Sequence, residues 1–230
     1  MGTLYNAIAQ NNWWVAKASI DRYPRALDID FAASIGETPL HVAVKFGHVG
    51  IVEELVRLVP HEYLKIRDAY YDCTPLATAA IYSGVIPNAA CLINENNNAL
   101  AIPSKNGWRI PVTLAFIGGL TKMGRYLYSV TPLQFFKPEN GPVGPTFLYT
   151  CLRIGQLDFA LDLLQQCTEL LFAADVYGIS TIQNIARYPP NFLNKSTTTK
   201  NSTFSGDIES PKVAAETLQR RHFVTTKSLP

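Results

Sequence analysis

The side chains best suited to chemistry in this chain are its four histidines, His41, His48, His61 and His222, and its four cysteines, Cys73, Cys91, Cys151 and Cys167. Imidazole nitrogens and thiolates are the usual zinc ligands and the usual partners in nucleophilic catalysis, but both uses need several such groups at defined spacing. The cysteines are widely spaced and contain no CxxC pair. No acidic or cysteine partner stands at ligand spacing from His41, and His48 and His61 are no better placed. The chain has no G-x-S-x-G, no phosphate-binding loop, no H-E-x-x-H and no dinucleotide fingerprint. No carboxylate pair has a convincing spacing. The expectation is therefore no enzyme, with no catalytic, cofactor-binding or metal-binding residue, and reduced, mostly buried thiols in a cytosolic protein.

His41 makes better sense with its neighbours, in GETPLHVAVKFGHVGIVEELVR, Gly36 to Arg57. Thr38 suits a helix N-cap, and Pro39 then takes the first helical position, where its missing N–H costs nothing. Leu40, Ala43 and Val44 make an apolar face at helical spacing. Gly47 suits the left-handed turn that ends the helix. Val49, Val52, Leu55, Val56 and Val59 give a second helix its stripe. In this setting a histidine at position 41 hydrogen-bonds backbone in the turn between units. Two helices this short cannot bury both stripes alone, so like units should flank them.

The flanking units are legible at intervals of 36 residues. Thr74-Pro75-Leu76, Ile110-Pro111-Val112, Thr146-Phe147-Leu148 and Thr3-Leu4 occupy the slots of Thr38-Pro39-Leu40. A small residue recurs as Ala7, Ala43, Ala79, Ala115 and Cys151, where adjacent helices must approach closely. The helix-ending slot recurs as Asn11, Gly47, Ser83, Gly119 and Gly155. The expected units are about 3–33, 34–69, 70–105, 106–140 and 141–174, with a partial one at 175–190 broken by Tyr188-Pro189-Pro190.

Each unit carries its own expectations. In the first, Ile8, Val15 and Ile20 fit the apolar stripes. Trp13 and Trp14 either pack on the second unit or offer a partner surface. In the third, Pro87 should start the second helix, and the Asn94–Asn98 run, NENNN, should end it as a polar loop. In the fourth, Val112 to Ile117 should be buried on most sides, followed by Met123, Tyr126, Leu127 and Tyr128 on the second helix. Thr131 to Phe136 reads as a loop packing its aromatics inward, and Glu139-Asn140-Gly141-Pro142 as the next turn. From about 191 to 230 the chain is polar and should be mostly disordered, with a short helix between Pro211 and His222.

The T-P-L-H-x-A signature, Gly47-His48 and the second apolar helix together resemble the ankyrin repeat family. The resemblance covers about Thr3 to Arg187 and implies an all-α fold: an ankyrin-repeat solenoid of helix-turn-helix units with a disordered C-terminal tail. The usual unit is shorter, at roughly 33 residues, so about three extra residues per unit should sit in loops. The long units, the Ile110-Pro111-Val112-Thr113-Leu114-Ala115 form and the Asn-rich loop resemble a plant subgroup. Its cytosolic repeats precede a C-terminal membrane-spanning PGG domain, and its members are associated with defence and stress signalling. The family supplies no catalytic residues. Its binding surface is the concave face of turn fingers and first helices, which implies candidate partner contacts at Asp30, Glu37, Asp68, Tyr70, Tyr71, Asp72, Lys105, Trp108, Arg109 and Glu139.

Composition agrees with an interaction module. The net charge of +2 gives no electrostatic case for nucleic acid or an anionic membrane. The longest apolar run, about Ile110 to Leu120, is too short to span a bilayer, which takes roughly 20 residues. The N-terminus lacks a secretory signal and a myristoylation motif. The expected partner is an unidentified protein, with no cofactor, nucleic acid, small-molecule substrate or direct membrane insertion. The expected location is the cytoplasm, or the inner face of the plasma membrane through a partner or a C-terminal domain missing from this chain. The alternative reading is the cytosolic part of a membrane-anchored tether.

Overall fold

Thr38 opens the best-formed unit as the sequence suggests. It is extended (φ −81°, ψ 159°), and its hydroxyl accepts the His41 N–H at 3.2 Å, so α3 (Pro39–Phe46) starts with proline in its first turn. Gly47 closes that helix in the left-handed region (φ 79°), and α4 (Val49–Leu58) runs back against it. The computed structural model describes residues 2–27, 36–104 and 108–187, and all of these lie in one compact unit, Met1–Pro189. The expected tail, its short helix and the Tyr188-Pro189-Pro190 break lie outside the described residues.

The helix pair recurs along the chain: α1 (Gly2–Ala9) with α2 (Trp13–Arg22), α5 (Pro75–Thr78) with α6 (Ile86–Glu95), α7 (Pro111–Ile117) with α8 (Thr121–Val130), and α9 (Val143–Ile154) with α10 (Leu157–Gln166). A last helix, α11 (Thr181–Arg187), packs on α9. No strand occurs among the described residues beyond one isolated bridge, Ala174 to Ser180. The fold is all-helical because the apolar slots sit at helical spacing and come together in rows. Leu4, Leu40, Leu76, Val112 and Leu148 are all buried, as are Ala7, Ala43, Ala79, Ala115 and Cys151 beside them. Small side chains in the second row let consecutive first helices approach.

Three local expectations are corrected. The left-handed residue of the third unit is Gly84 (φ 65°), not Ser83. Residues Ala79–Ser83 form a π-helical turn, and Gly84 donates its N–H to Ala79 O, five residues back, at 3.0 Å. That wider turn absorbs one residue, so α6 starts one place late, at Ile86 with Pro87 in its first turn, and α7 is back in phase. A β-carbon on Gly118 would lie 2.8 Å from the Ile81 carbonyl oxygen, so the fourth unit fits over the bulge only with glycine there.

In the first unit, Val15 is 41% and Trp14 87% exposed, so neither is a core residue. Asn12 caps α2 by accepting the Val15 N–H at 3.2 Å. The helix phase that follows turns Ala16 and Ile20 inward and Val15 outward. Trp13 is half-buried.

The two stretches expected as loops after second helices, 94–98 and 131–136, include 3₁₀ turns, and the second and fifth units have matching ones. His61–Lys65, Asn97–Ala101, Leu133–Phe136 and Thr168–Leu171 each bring apolar residues inward: Tyr63 and Leu64, Ala99 and Leu100, Phe136, and Leu170. The Asn-rich run thus continues α6 through Glu95 and then tightens, because Leu100 must be buried. Phe136 is buried as expected, while Phe135 is only half-buried.

Phe136 joins the largest aromatic cluster, which binds the fourth and fifth units. Phe147 lies 6.0 Å from Phe116, 5.6 Å from Tyr128 and 5.1 Å from Phe136, and Phe159 lies 4.9 Å from Phe116 (ring centroids). Over this cluster Arg125 pairs with Asp158 at 3.1 Å, and the Tyr128 hydroxyl donates to Asp162 at 2.6 Å, tying α8 to α10.

Candidate interaction surface

Between units the chain makes finger loops that are closed by their own backbone. Asp68 N–H donates to Cys73 O at 2.9 Å, Ser104 N–H to Arg109 O at 3.0 Å, and Asp175 N–H to Ile179 O at 2.9 Å. Two buried aspartates hold the loop interiors. Asp68 accepts the N–H groups of Tyr70 (2.9 Å), Tyr71 (2.6 Å) and Cys73 (3.1 Å). Asp175 accepts those of Tyr177 (2.9 Å) and Ile179 (3.1 Å), and the Asn184 amide at 3.0 Å. Buried carboxylates are tolerable here because backbone donors replace the water they lose.

Three fingers cross a left-handed residue at intervals of 36, Gly36 (φ 84°), Asp72 (φ 54°) and Trp108 (φ 56°), and the Asp175 finger does so at Gly178 (φ 73°). Glycine accepts this freely. Asp72 is held there by Arg67, whose guanidinium bonds the Asp72 carboxylate at 2.5 Å and its carbonyl at 3.0 Å. Trp108 is a bulky residue in a region such residues rarely enter. Its ring is 47% exposed, and a β-carbon on Gly141 would lie 3.6 Å from it, so it leans on the next finger.

Further bonds fix the fingers to the helices. Ala69 N–H donates to Gly36 O at 2.7 Å, linking two fingers, and the Tyr5 hydroxyl donates to Glu37 O at 2.8 Å. His41 Nε2 lies 2.9 Å from Cys73 O, and its Nδ1 lies 3.3 Å from Thr38 N and 2.7 Å from the Thr38 hydroxyl. A carbonyl only accepts, so Nε2 carries the proton, and Nδ1 accepts from Thr38. Burial holds this imidazole below its ordinary pKa, against the bond to Cys73, which works the other way.

The thiols offer little chemistry. Burial pushes Cys73 up to about 12 and raises Cys151 and Cys91 as well, so they stay protonated at neutral pH. Among the described residues no group of three or more His, Cys, Asp or Glu could hold a metal ion. A surface depression of about 470 Å³ in the first unit is lined by Thr3, Asn6, Ala7, Gln10, Asn12 and Val15, none of them a candidate acid or base. No helix among the described residues is long and apolar enough to cross a membrane.

Comparison with known proteins bears on the fold. Residues 35–59 match the ankyrin repeat family model. A chain from the complex of the predatory endopeptidase Bd0816 from Bdellovibrio bacteriovorus with immunity protein Bd3460 superposes with a TM-score of 0.61 at 19% identity, over 82% of this chain and 92% of that one. The ankyrin repeat domain of Bcl-3, a member of the IkappaB family, superposes with a TM-score of 0.59 at 16% identity, over 80% and 78%. The fold is an ankyrin-repeat fold. No curated protein matches the sequence significantly.

On the ankyrin fingers the ten expected contact residues part company. Tyr70 is 64%, Tyr71 40% and Trp108 47% exposed, and Glu139 is exposed near Lys137 (3.8 Å). Arg109 is half-buried. Asp72 is held by Arg67, and Glu37 is half-buried and pairs with Lys45 at 3.3 Å. Asp68 is corrected: it is 6% exposed with its carboxylate committed to three backbone donors, so it shapes the finger and offers no contact. Asp30 and Lys105 lie outside the described residues.

Sequence reasoning did not single out five residues that form aromatic and cation–ring pairs beside the fingers. Tyr82 sits edge-on to Tyr71 at 5.9 Å, with the Lys45 ammonium 5.7 Å from its ring centre. Tyr149 sits edge-on to Tyr177 at 6.2 Å, with the Arg153 guanidinium 6.0 Å from its ring. The signal was available: Lys45 and Arg153 occupy one slot of the repeat, on first helices facing the fingers.

Proposed function

We propose that this chain is a non-enzymatic protein–protein interaction module whose contact surface is the fingers and the facing first helices. The observation that carries this reading is the set of exposed aromatics, Tyr70, Trp108 and Tyr177, raised on loops that internal hydrogen bonds hold in shape. Tyrosine, tryptophan and arginine dominate binding hot spots, and a preformed loop loses little conformational freedom on binding. That one similar chain comes from a protein–protein complex supports the same reading.

The test is to capture binding proteins on the immobilised chain, identify one, and measure its affinity for Trp108→Ala and Tyr177→Ala. At least a tenfold loss with a melting temperature unchanged within error supports the surface. Affinity that falls only in step with melting temperature, in every finger variant, rules it out.

The finer setting rests on the resemblance to the plant subgroup: a signalling adaptor in defence or stress responses, held at the inner face of the plasma membrane by a partner or by a spanning domain on a longer product of the same gene. Membrane recovery of the native protein, with a transcript that continues past about residue 187 into four apolar spans, supports this setting. Native protein found wholly in the soluble fraction of plant cells counts against it.

A further inference from the structure

The repeat supplies its own comparison for the charges on the inner corner, where finger meets first helix. In the second unit this corner is self-neutral, since Glu37 pairs with Lys45 at 3.3 Å across it. The same slots carry different residues further along: the slot of Glu37 is Cys73, then Arg109, then Pro145, and the slot of Lys45 is Ile81, then Ile117, then Arg153. The fourth and fifth units have therefore lost the acid and gained two guanidinium groups. Neither Arg109 nor Arg153 has a carboxylate within ion-pair distance among the described residues.

The nearby acids are committed elsewhere. Asp175 takes backbone N–H groups, Asp158 pairs with Arg125 on the second helices, and Glu139 lies 3.8 Å from Lys137. Aromatic rings lie alongside: Tyr149 carries Arg153 over its face, Tyr177 stands edge-on to Tyr149, and Trp108, next to Arg109 in the chain, leans on the following finger at Gly141.

We infer that this corner receives an acidic, extended segment of a protein partner, with Asp or Glu side chains on Arg109 and Arg153 in the role Glu37 plays towards Lys45. The inference rests on the interaction-module reading and names the chemistry of its partner. Arginine presents a planar fork that matches a carboxylate in two parallel bonds, and the flanking rings give apolar contact to residues on either side.

A library of random 12-residue peptides displayed on phage, selected on the immobilised full-length chain, tests this. The expected winners are rich in Asp and Glu. A synthetic winner, followed by fluorescence anisotropy, should lose at least tenfold in affinity with Arg109→Gln or Arg153→Gln, and comparably between 50 and 500 mM NaCl. Lys122→Glu, a charge change on α8 away from the corner, should leave its affinity within twofold. Winners without acidic enrichment, no winners at all, or an equal loss in Lys122→Glu would each overturn the inference. Neutral winners that nevertheless need Trp108 overturn it while leaving the interaction-module reading in place.

Discussion

At the scale of single residues, His41 shows how one side chain joins two units. It is neutral in the fold because burial lowers its pKa from 6.5, and its Nε2–H is committed to Cys73 O. The unfolded chain takes up a proton near pH 6.5 that the folded chain resists. This group's stabilisation is therefore complete above about 6.5 and is lost as the pH falls below it. Melting temperature should drop more between pH 7.5 and 5.5 for the native chain than for His41→Gln, and equal drops would refute the assignment. His41→Ala should also cost about 1–3 kcal/mol at neutral pH, by taking from the Cys73 carbonyl one of its two donors (the Asp68 N–H remains) and from the buried Thr38 N–H its acceptor. Of these details the sequence showed the backbone role of His41 and the Thr38 cap. It did not show that Asp68 faces inward, because an aspartate beside Tyr70 and Tyr71 reads the same on a finger's surface as in its interior.

At the scale of elements, glycines separate positions that need conformation from those that need space. Gly50 lies inside α4 with nothing near its missing β-carbon, so Gly50→Ala should stabilise the chain by about 0.5–1 kcal/mol through lower backbone entropy in the unfolded state. Gly144 lies inside α9, where a β-carbon would fall 1.9 Å from the Phe136 carbonyl oxygen. Gly144→Ala should therefore destabilise, by 3 kcal/mol or more, since backbone must move to make room (roughly 1–3 kcal/mol is usual for milder overpacking). Thermal melts of the two variants check both signs, and like signs would show that propensity alone governs these helices. The π-helical turn at Ala79–Ser83 belongs to this scale too. Ser83 and Gly84 both suit a helix end by composition, so the one-residue shift was not legible until the fit against Gly118 was seen.

At the scale of the whole molecule, neighbouring units hold one another, so damage should stay local. Phe147 is fully buried where Phe116, Tyr128 and Phe136 meet. Phe147→Ala should cost about 3–5 kcal/mol. In hydrogen exchange, the amides of α7 to α10 should lose protection far more than those of α3 and α4. Loosening shared evenly across all the helices would contradict the nearest-neighbour picture.

The sequence by itself determined the period, the helical class and the slots that face the core, because burial and helix geometry act on every unit alike and leave a repeated mark. Only the tertiary structure decided which loop residues are exposed and which brace the loop from inside. Asp68 and Asp175 turn inward, with Tyr70 and Tyr177 outward, because of how each finger closes on itself, while Trp108 leaning on Gly141, Lys45 beside Tyr82 and Tyr149 against Tyr177 depend on which groups meet across units. Those cross-unit meetings join residues 28 to 37 positions apart, where local pattern carries no record of what an individual side chain will touch.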